Sequence, residues 1–189
     1  MQTAYIGMGG NLASWAGAPE LTLAAAALRM ERLGRMVGRS SLYSTEPVGF
    51  AAQPRFVNAV AAVETGLTPR ELLEGLLAIE QEFGRDRSAG IANGPRTLDL
   101  DLLLLGDLEV SEADLEIPHP RLAERAFVLT PLAEIAPDTV IPRLGKSVEQ
   151  LLGRLREDGQ GESDAVVRVE SEGWEVSAVP KARGAASGC

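Results

Sequence analysis

The chain has 189 residues with a formal net charge of −9, and its 45% hydrophobic and 24% charged content suits one globular domain with a sizeable core. That acidity argues against a nucleic-acid partner, which would need a basic face to displace counterions. No apolar run is long enough to span a bilayer and no basic-then-apolar leader is seen. With Cys189 as the sole cysteine there is no disulfide framework, so a cytoplasmic protein with no membrane partner is expected.

In chain order, Gln2 to Met8 reads as a strand and Gly9-Gly10-Asn11 as the turn after it. Glu20 to Leu33 is rich in alanine and leucine at helical spacing, with Pro19 before it and Gly34 as its stop. Arg35 to Tyr43 reads as a second strand, Ser44 to Arg55 as a loop punctuated by Pro47, Gly49 and Pro54, and Phe56 to Glu64 as a third strand. Thr68-Pro69-Arg70-Glu71 combines an N-cap, a first-turn proline and a capping-box glutamate, and Leu72, Leu73, Leu76, Leu77, Ile79 and Phe83 form the stripe of the helix that follows. Arg85 to Thr97 has little apolar content and reads as a long loop, a length often associated with functional lids.

Leu98 to Leu105 is the fourth strand, Gly106-Asp107 a turn, and Leu108 to Val110 a short strand. Helices are expected around Val128 to Ile135 and Ser147 to Leu155, the second opened by a Ser147–Gln150 capping pair. The order β-α-β-β-α-β predicts an α+β ferredoxin-like sandwich with an antiparallel sheet over residues 1–157. Residues 158–189 form a C-terminal extension in which Val166 to Val179 alternates around Glu172-Gly173, the pattern of a hairpin, before a frayed end.

The most specific stretch is Asn93 to Leu105, NGPRTLDLDLLLL. Alternation puts Asp99 and Asp101 on one face of the fourth strand, where two carboxylates repel each other and are costly to bury. A Mg²⁺ ion, typically held by one or two carboxylates plus phosphate oxygens, relieves both problems, and Arg96 adds a fork suited to phosphate. An isolated Asp-x-Asp pair is equally compatible with a solvent-facing strand. Arg85, Arg87, Arg96, Arg121 and Arg125 gather around the pair in sequence, which in an acidic chain suggests a small polyanion as ligand.

The full string Gly-Pro-Arg-x-x-Asp-Leu-Asp-Leu-Leu resembles the signature of the 6-hydroxymethyl-7,8-dihydropterin pyrophosphokinases, folate-pathway enzymes that move diphosphate from ATP to a reduced pterin. Pro118-His119 followed by Arg125 and Phe127 resembles the same family's Pro-His-x-x-x-x-x-Arg-x-Phe stretch, and Gly84-Arg85-Asp86-Arg87 its Gly-Arg-x-Arg loop opening. The resemblance spans roughly residues 2 to 155. It implies Asp99 and Asp101 as ligands of two Mg²⁺ ions and, with Arg85 and Arg96, as the catalytic group. It implies Glu80, Arg87, Leu102, His119 and Arg125 on the ATP side. Phe56 and Phe127 would sandwich the pterin, with Asn58, Thr45 and Val48 at its edge. On residue type alone both phenylalanines would be core.

The chain departs from the family at Ala92 and Asn93, where a basic residue and a tryptophan are usual, at Gly10 in place of serine, and by one extra residue in the loop. A monomer acting on small molecules is expected. Two rivals stay open: a two-metal nucleotidyl transferase on the same fold, which would release pyrophosphate rather than AMP, and a non-catalytic binding module with a degraded lid.

Overall fold

The computed structural model describes residues 1–47, 52–86, 94–158, 166–177 and 179. Its centre is a strand pair formed by β1 (Gln2–Gly10) and β4 (Phe56–Thr65), antiparallel and in unbroken register from Gln2 opposite Thr65 to Gly10 opposite Val57. Ahead of β4, the stretch read as one strand is two: β2 (Arg35–Arg39) and β3 (Leu42–Thr45), both antiparallel to β4. The break falls at Ser40-Ser41, where the Ser40 hydroxyl donates to Ser41 O while accepting from Val60 N, so a side-chain bond takes the place of one ladder bond while Ser40 N still donates to Val60 O. On the other side of β1 lies β5 (Asp99–Leu105), also antiparallel.

Two helices, α1 (Pro19–Met30) and α2 (Pro69–Glu82), cover one face of this sheet. Alternate residues of three strands meet them: Ala4, Ile6 and Met8 from β1, Val57, Ala59, Ala61 and Val63 from β4, and Leu100 and Leu102 from β5. Helix α2 opens with the expected capping box between Thr68 and Glu71. α1 ends at Met30 rather than running to Leu33.

The opposite face carries α3 (Ala126–Ile135) and α4 (Val148–Glu157), which pack on Tyr5, Val60, Ala62, Leu103 and Leu104. A register shift between Tyr5 and Ile6 lets both Leu103 and Leu104 join this core while Leu105 returns to the first. α3 and α4 cover only part of that face. Toward the other end of β1 and β4 the residues pointing the same way are Gly7, Gly9 and Asn58, and beside them Asp99 and Asp101, and these line an open cleft.

Between β5 and α3, β6 (Val110–Glu112) pairs with β7 (Leu115–Ile117), a little later than the Leu108–Val110 expectation. Two short strands, β8 (Val140–Ile141) and β9 (Lys146–Ser147), lead into α4, whose capping box of Ser147 and Gln150 is as expected. In the C-terminal extension, β10 (Val167–Val169) pairs with β3, and Ser177 bridges to Arg39. The two arms read as a hairpin therefore pair with the main sheet instead of with each other, because β2 and β3 present an edge already fixed by β4.

β3 is also tied to α3. Glu134 accepts from Ser41 N at 2.8 Å, Ser41 Oγ at 2.7 Å and Tyr43 OH at 3.0 Å. Burial, reinforced by donation to Glu134, pushes the Tyr43 hydroxyl up to about 12. A folded-state value above the unfolded one gives stability that is complete below the unfolded value, about 10, and is lost as pH climbs toward 12. The thermal midpoint should therefore fall more steeply above pH 10 in the wild type than in Tyr43→Phe; parallel curves would refute this role for Tyr43.

Candidate active site

The acid pair sits where β5 faces the uncovered end of the sheet. Asp99 lies opposite Gly9 and Asp101 opposite Gly7, so β1 offers no side chain to crowd either carboxylate. Arg85, just past the end of α2, places Nη2 3.5 Å from Asp99 Oδ1. Arg96 places Nε 3.2 Å from Asp99 Oδ2. All three side chains are about one-fifth exposed, so these pairs are screened less than surface ones. Arg96 also lays its guanidinium over the Phe56 ring, 4.9 Å from the centroid, and Arg125 does the same over Phe127 at 5.5 Å.

Among the described residues Asp101 has no such partner at bonding distance. Burial, then the neighbouring Asp99 charge, raises its pKa above the ordinary carboxylate range; His119, Arg125 and Arg96 pull the other way. Burial lowers the His119 pKa, against the pull of Asp101, so the ring is neutral near pH 7. Its Nδ1 accepts from Arg121 N at 3.2 Å, which leaves Nε2–H as the donor. Desolvation, with Arg121 nearby, also lowers the Arg125 pKa. That is what a cationic pocket prepared for an anion looks like before the anion arrives. Nε of Arg85 is buried without a hydrogen-bond partner, and Nε of Arg96 is buried facing Asp99 Oδ2 without hydrogen-bond geometry.

Most of the residues singled out in the sequence come together. Arg96, Asp99, Asp101, Asn58, Arg125 and Phe127 line one open cleft. Phe56 joins them through Arg96. Thr45 Oγ1 accepts from Asn58 Nδ2 at 2.8 Å, both residues being buried, which fixes which way that carboxamide turns. Arg121 is separate: it pairs with Glu124 at 3.5 Å on an exposed surface. Arg121 and Arg125, although four residues apart, do not share a helix, because a 3₁₀ turn (Leu122–Glu124) intervenes and Arg125 is the extended N-cap of α3.

Two residues expected on the ATP side have buried side chains. Leu102 is 5% exposed in the core beneath α1 and α2, which leaves its main chain rather than its side chain for a ligand. Glu80 is 1% exposed and its Oε1 accepts from Leu100 N at 2.8 Å. Leu100 stands between the two aspartates on a strand that ends the sheet, so Glu80 caps an edge amide that β1 cannot reach. Val48 and Arg87 lie outside the described residues, as do Ala92 and Asn93.

Asn11 was read only as part of a turn, yet it joins the two halves of the site. Asn11 N donates to Arg96 O at 2.9 Å and Asn11 Oδ1 accepts from Arg96 N at 2.8 Å. Its Nδ2 donates to Gln53 Oε1 and to Pro54 O, both at 3.0 Å. One buried carboxamide thus ties the Gly-Pro-Arg segment to the chain entering β4. The close fit explains Gly10, where a Cβ would stand 2.4 Å from Thr97 O; the serine usual in the family would force this contact open. The sequence signal was an asparagine after two glycines, which turn chemistry explains equally well.

Among the described residues no group of three or more acidic, histidine or cysteine side chains could hold a metal alone. Two carboxylates beside the guanidinium groups of Arg85 and Arg96 instead fit Mg²⁺ arriving with phosphate oxygens to complete its shell.

The sequence pattern of the family described as 7,8-dihydro-6-hydroxymethylpterin-pyrophosphokinase matches residues 5–137. A Pseudomonas aeruginosa protein named 2-amino-4-hydroxy-6-hydroxymethyldihydropteridine pyrophosphokinase is 45% identical over 161 residues, 84% of this chain and 95% of its own length. A Synechocystis protein of the same name is 44% identical over 156 residues, 80% of this chain and 75% of its own. The crystal structure of wild-type Plasmodium falciparum HPPK-DHPS matches with a TM-score of 0.64 at 14% identity. That match covers 86% of this chain and 47% of the longer one, a likeness of fold over about half its length.

Because burial and the neighbouring Asp99 both disfavour the Asp101 carboxylate, Asp101→Asn should stabilise the metal-free protein. A thermal midpoint that falls in this variant would show that the carboxylate is instead satisfied where it stands.

Proposed function

Because the chain belongs to the 7,8-dihydro-6-hydroxymethylpterin-pyrophosphokinase family, it is an ATP-dependent pyrophosphokinase of folate biosynthesis, and we propose that the cleft around Asp99 and Asp101 is where diphosphate passes from ATP to the pterin. The observation that carries this is the convergence of a paired-carboxylate face, the Arg85 and Arg96 guanidinium groups beside Asp99, and two ring–guanidinium stacks around one cleft.

Asp99 and Asp101 would hold magnesium, two ions in this reading, which when bound neutralises phosphate charge and lowers the pKa of a coordinated hydroxyl. The flat pterin lies between Phe56 and Phe127, its amide-like edge met by the Asn58 carboxamide as Thr45 orients it. Its hydroxymethyl oxygen attacks the β-phosphorus in line. A C–O–P bond forms as the β-phosphorus parts from the oxygen bridging to the α-phosphate, and AMP leaves with that oxygen. The hydroxyl proton passes to solvent, with Asp99 as the alternative acceptor. Arg85, Arg96, Arg125 and the Nε2–H of His119 supply positive charge and donors to the triphosphate, which is what phosphoryl transfer chiefly requires. Arg87 and Val48 complete the ATP and pterin sides in this reading, and the protein acts as a cytoplasmic monomer.

Incubation with ATP, Mg²⁺ and 6-hydroxymethyl-7,8-dihydropterin should release AMP only when the pterin is present; pyrophosphate as product would favour nucleotidyl transfer. Asp101→Ala should lose Mg²⁺-dependent activity while retaining weak ATP binding. Arg96→Lys keeps the charge but loses the planar stack and the fork, so kcat should fall at least about tenfold. Asn11→Asp keeps the acceptor for Arg96 N but sets an oxygen against Gln53 Oε1 and Pro54 O. The KM for pterin should therefore rise more than the KM for ATP, and equal rises would refute the asymmetry.

A further inference from the structure

The extension beyond the matched family region lies along the sheet in a specific way. β10 sets Val167 opposite Ser44, Arg168 opposite Tyr43 and Val169 opposite Leu42. Farther on, Trp174 Nε1 donates to Ser40 O at 2.7 Å, and the Arg39 guanidinium stacks on the Trp174 ring at 5.3 Å. Ser177 then exchanges two backbone bonds with Arg39, at 2.6 and 2.8 Å. Gly38 is shaped by this contact, since a Cβ there would stand 2.8 Å from Val179 Cγ2 and 3.1 Å from Ser177 O. Residues 166–177 therefore cross both β2 and β3, held by ladder bonds, an indole bond and a ring stack. The face of β2 they approach is bare of side chain where they come closest.

The strand they cover leads into one half of the site. Ser44, opposite Val167, is gripped by Arg55, whose Nε donates to Ser44 Oγ at 2.8 Å and whose Nη2 donates to Ser44 O at 3.3 Å; Arg55 also pairs with Glu46. Arg55 precedes Phe56, and Thr45, the next residue of β3, orients Asn58. The strand order β10-β3-β4-β1-β5 puts this half at one side of the sheet and the Asp99–Asp101 half at the other.

We propose that the 166–177 segment is a positioning strap for the pterin half of the site: by completing the β3 edge it holds Ser44 and Thr45, and through them Arg55, Phe56 and Asn58, while the phosphate half is built on β5 and the ends of α2 and α3 and meets the strapped half at the Phe56–Arg96 stack. This rests on the pyrophosphokinase reading for the identity of the ligand.

The test uses the full chain with two independent releases of the strap. Trp174→Ala removes the indole bond and the stack, and Ser177→Pro removes the donor to Arg39 O. Each variant is measured for dissociation constants of 6-hydroxymethyl-7,8-dihydropterin and of a non-hydrolysable ATP analogue with Mg²⁺, and for amide hydrogen exchange along Leu42–Thr45 and Phe56–Asn58. The expected result is pterin binding weakened about tenfold, analogue binding changed less than about twofold, and faster exchange at both segments. Equal weakening of both ligands would reduce the strap to general stability and overturn the proposal. So would unchanged pterin affinity once exchange shows β3 released. Wild-type protein that makes no pterin-dependent AMP would sink the functional reading. Exchange at Phe56–Asn58 would then decide the strap, and no change there on release would overturn it.

Discussion

Two carboxylates on one face of β5 are the constraint around which the rest of the molecule is arranged. Like charges a dipeptide apart, in a strand otherwise filled with leucine, are tolerable only where the sheet stays open and where cations surround them. The fold meets both conditions. α3 and α4 seal the end of that face where Leu103, Leu104 and Tyr5 lie and stop short of Asp99 and Asp101. Gly7 and Gly9 across the ladder remove the side chains that would otherwise fill the space. The arginines come from three separate segments, the end of α2, the Gly-Pro-Arg approach to β5 and the cap of α3, so their convergence depends on the tertiary fold.

The framework was legible in the sequence wherever a local rule has one outcome. Alternation put Asp99 and Asp101 on one face of β5, where both line the cleft, and the capping boxes of α2 and α4 stand as read. Local rules failed where a neighbour decides. Nothing in Arg35–Tyr43 shows that Ser40 bonds Val60 and splits the strand. Alternation in Val166–Val179 says that the segment is extended, and a hairpin and a strap along another strand share that pattern. The partner is chosen by an edge some 120 residues earlier in the chain.

The site divides in the same way. Asp99, Asp101, Arg96 and Arg125 were found because motif spacing and charge chemistry agree on them. Glu80 and Leu102 were named from resemblance alone, and their side chains prove to be interior. Glu80 supports the acid pair from beneath by closing the Leu100 amide. Asn11 escaped because its partners, Arg96, Gln53 and Pro54, are distant in sequence, and a turn asparagine carries no mark of what its carboxamide will reach.

Arg96 stacks on Phe56 with its guanidinium plane, faces Asp99 with Nε, and is anchored to Asn11 through its main chain. In the proposed reading a single side chain therefore belongs to both ligand pockets at once. For a lineage of such proteins this makes position 96 pleiotropic: any change that retunes recognition of the ring also alters the charge beside the acid pair. Divergence is then channelled to places that touch only one pocket, such as the turn at Gly10 or the C-terminal segment, while the shared arginine stays fixed by its two obligations.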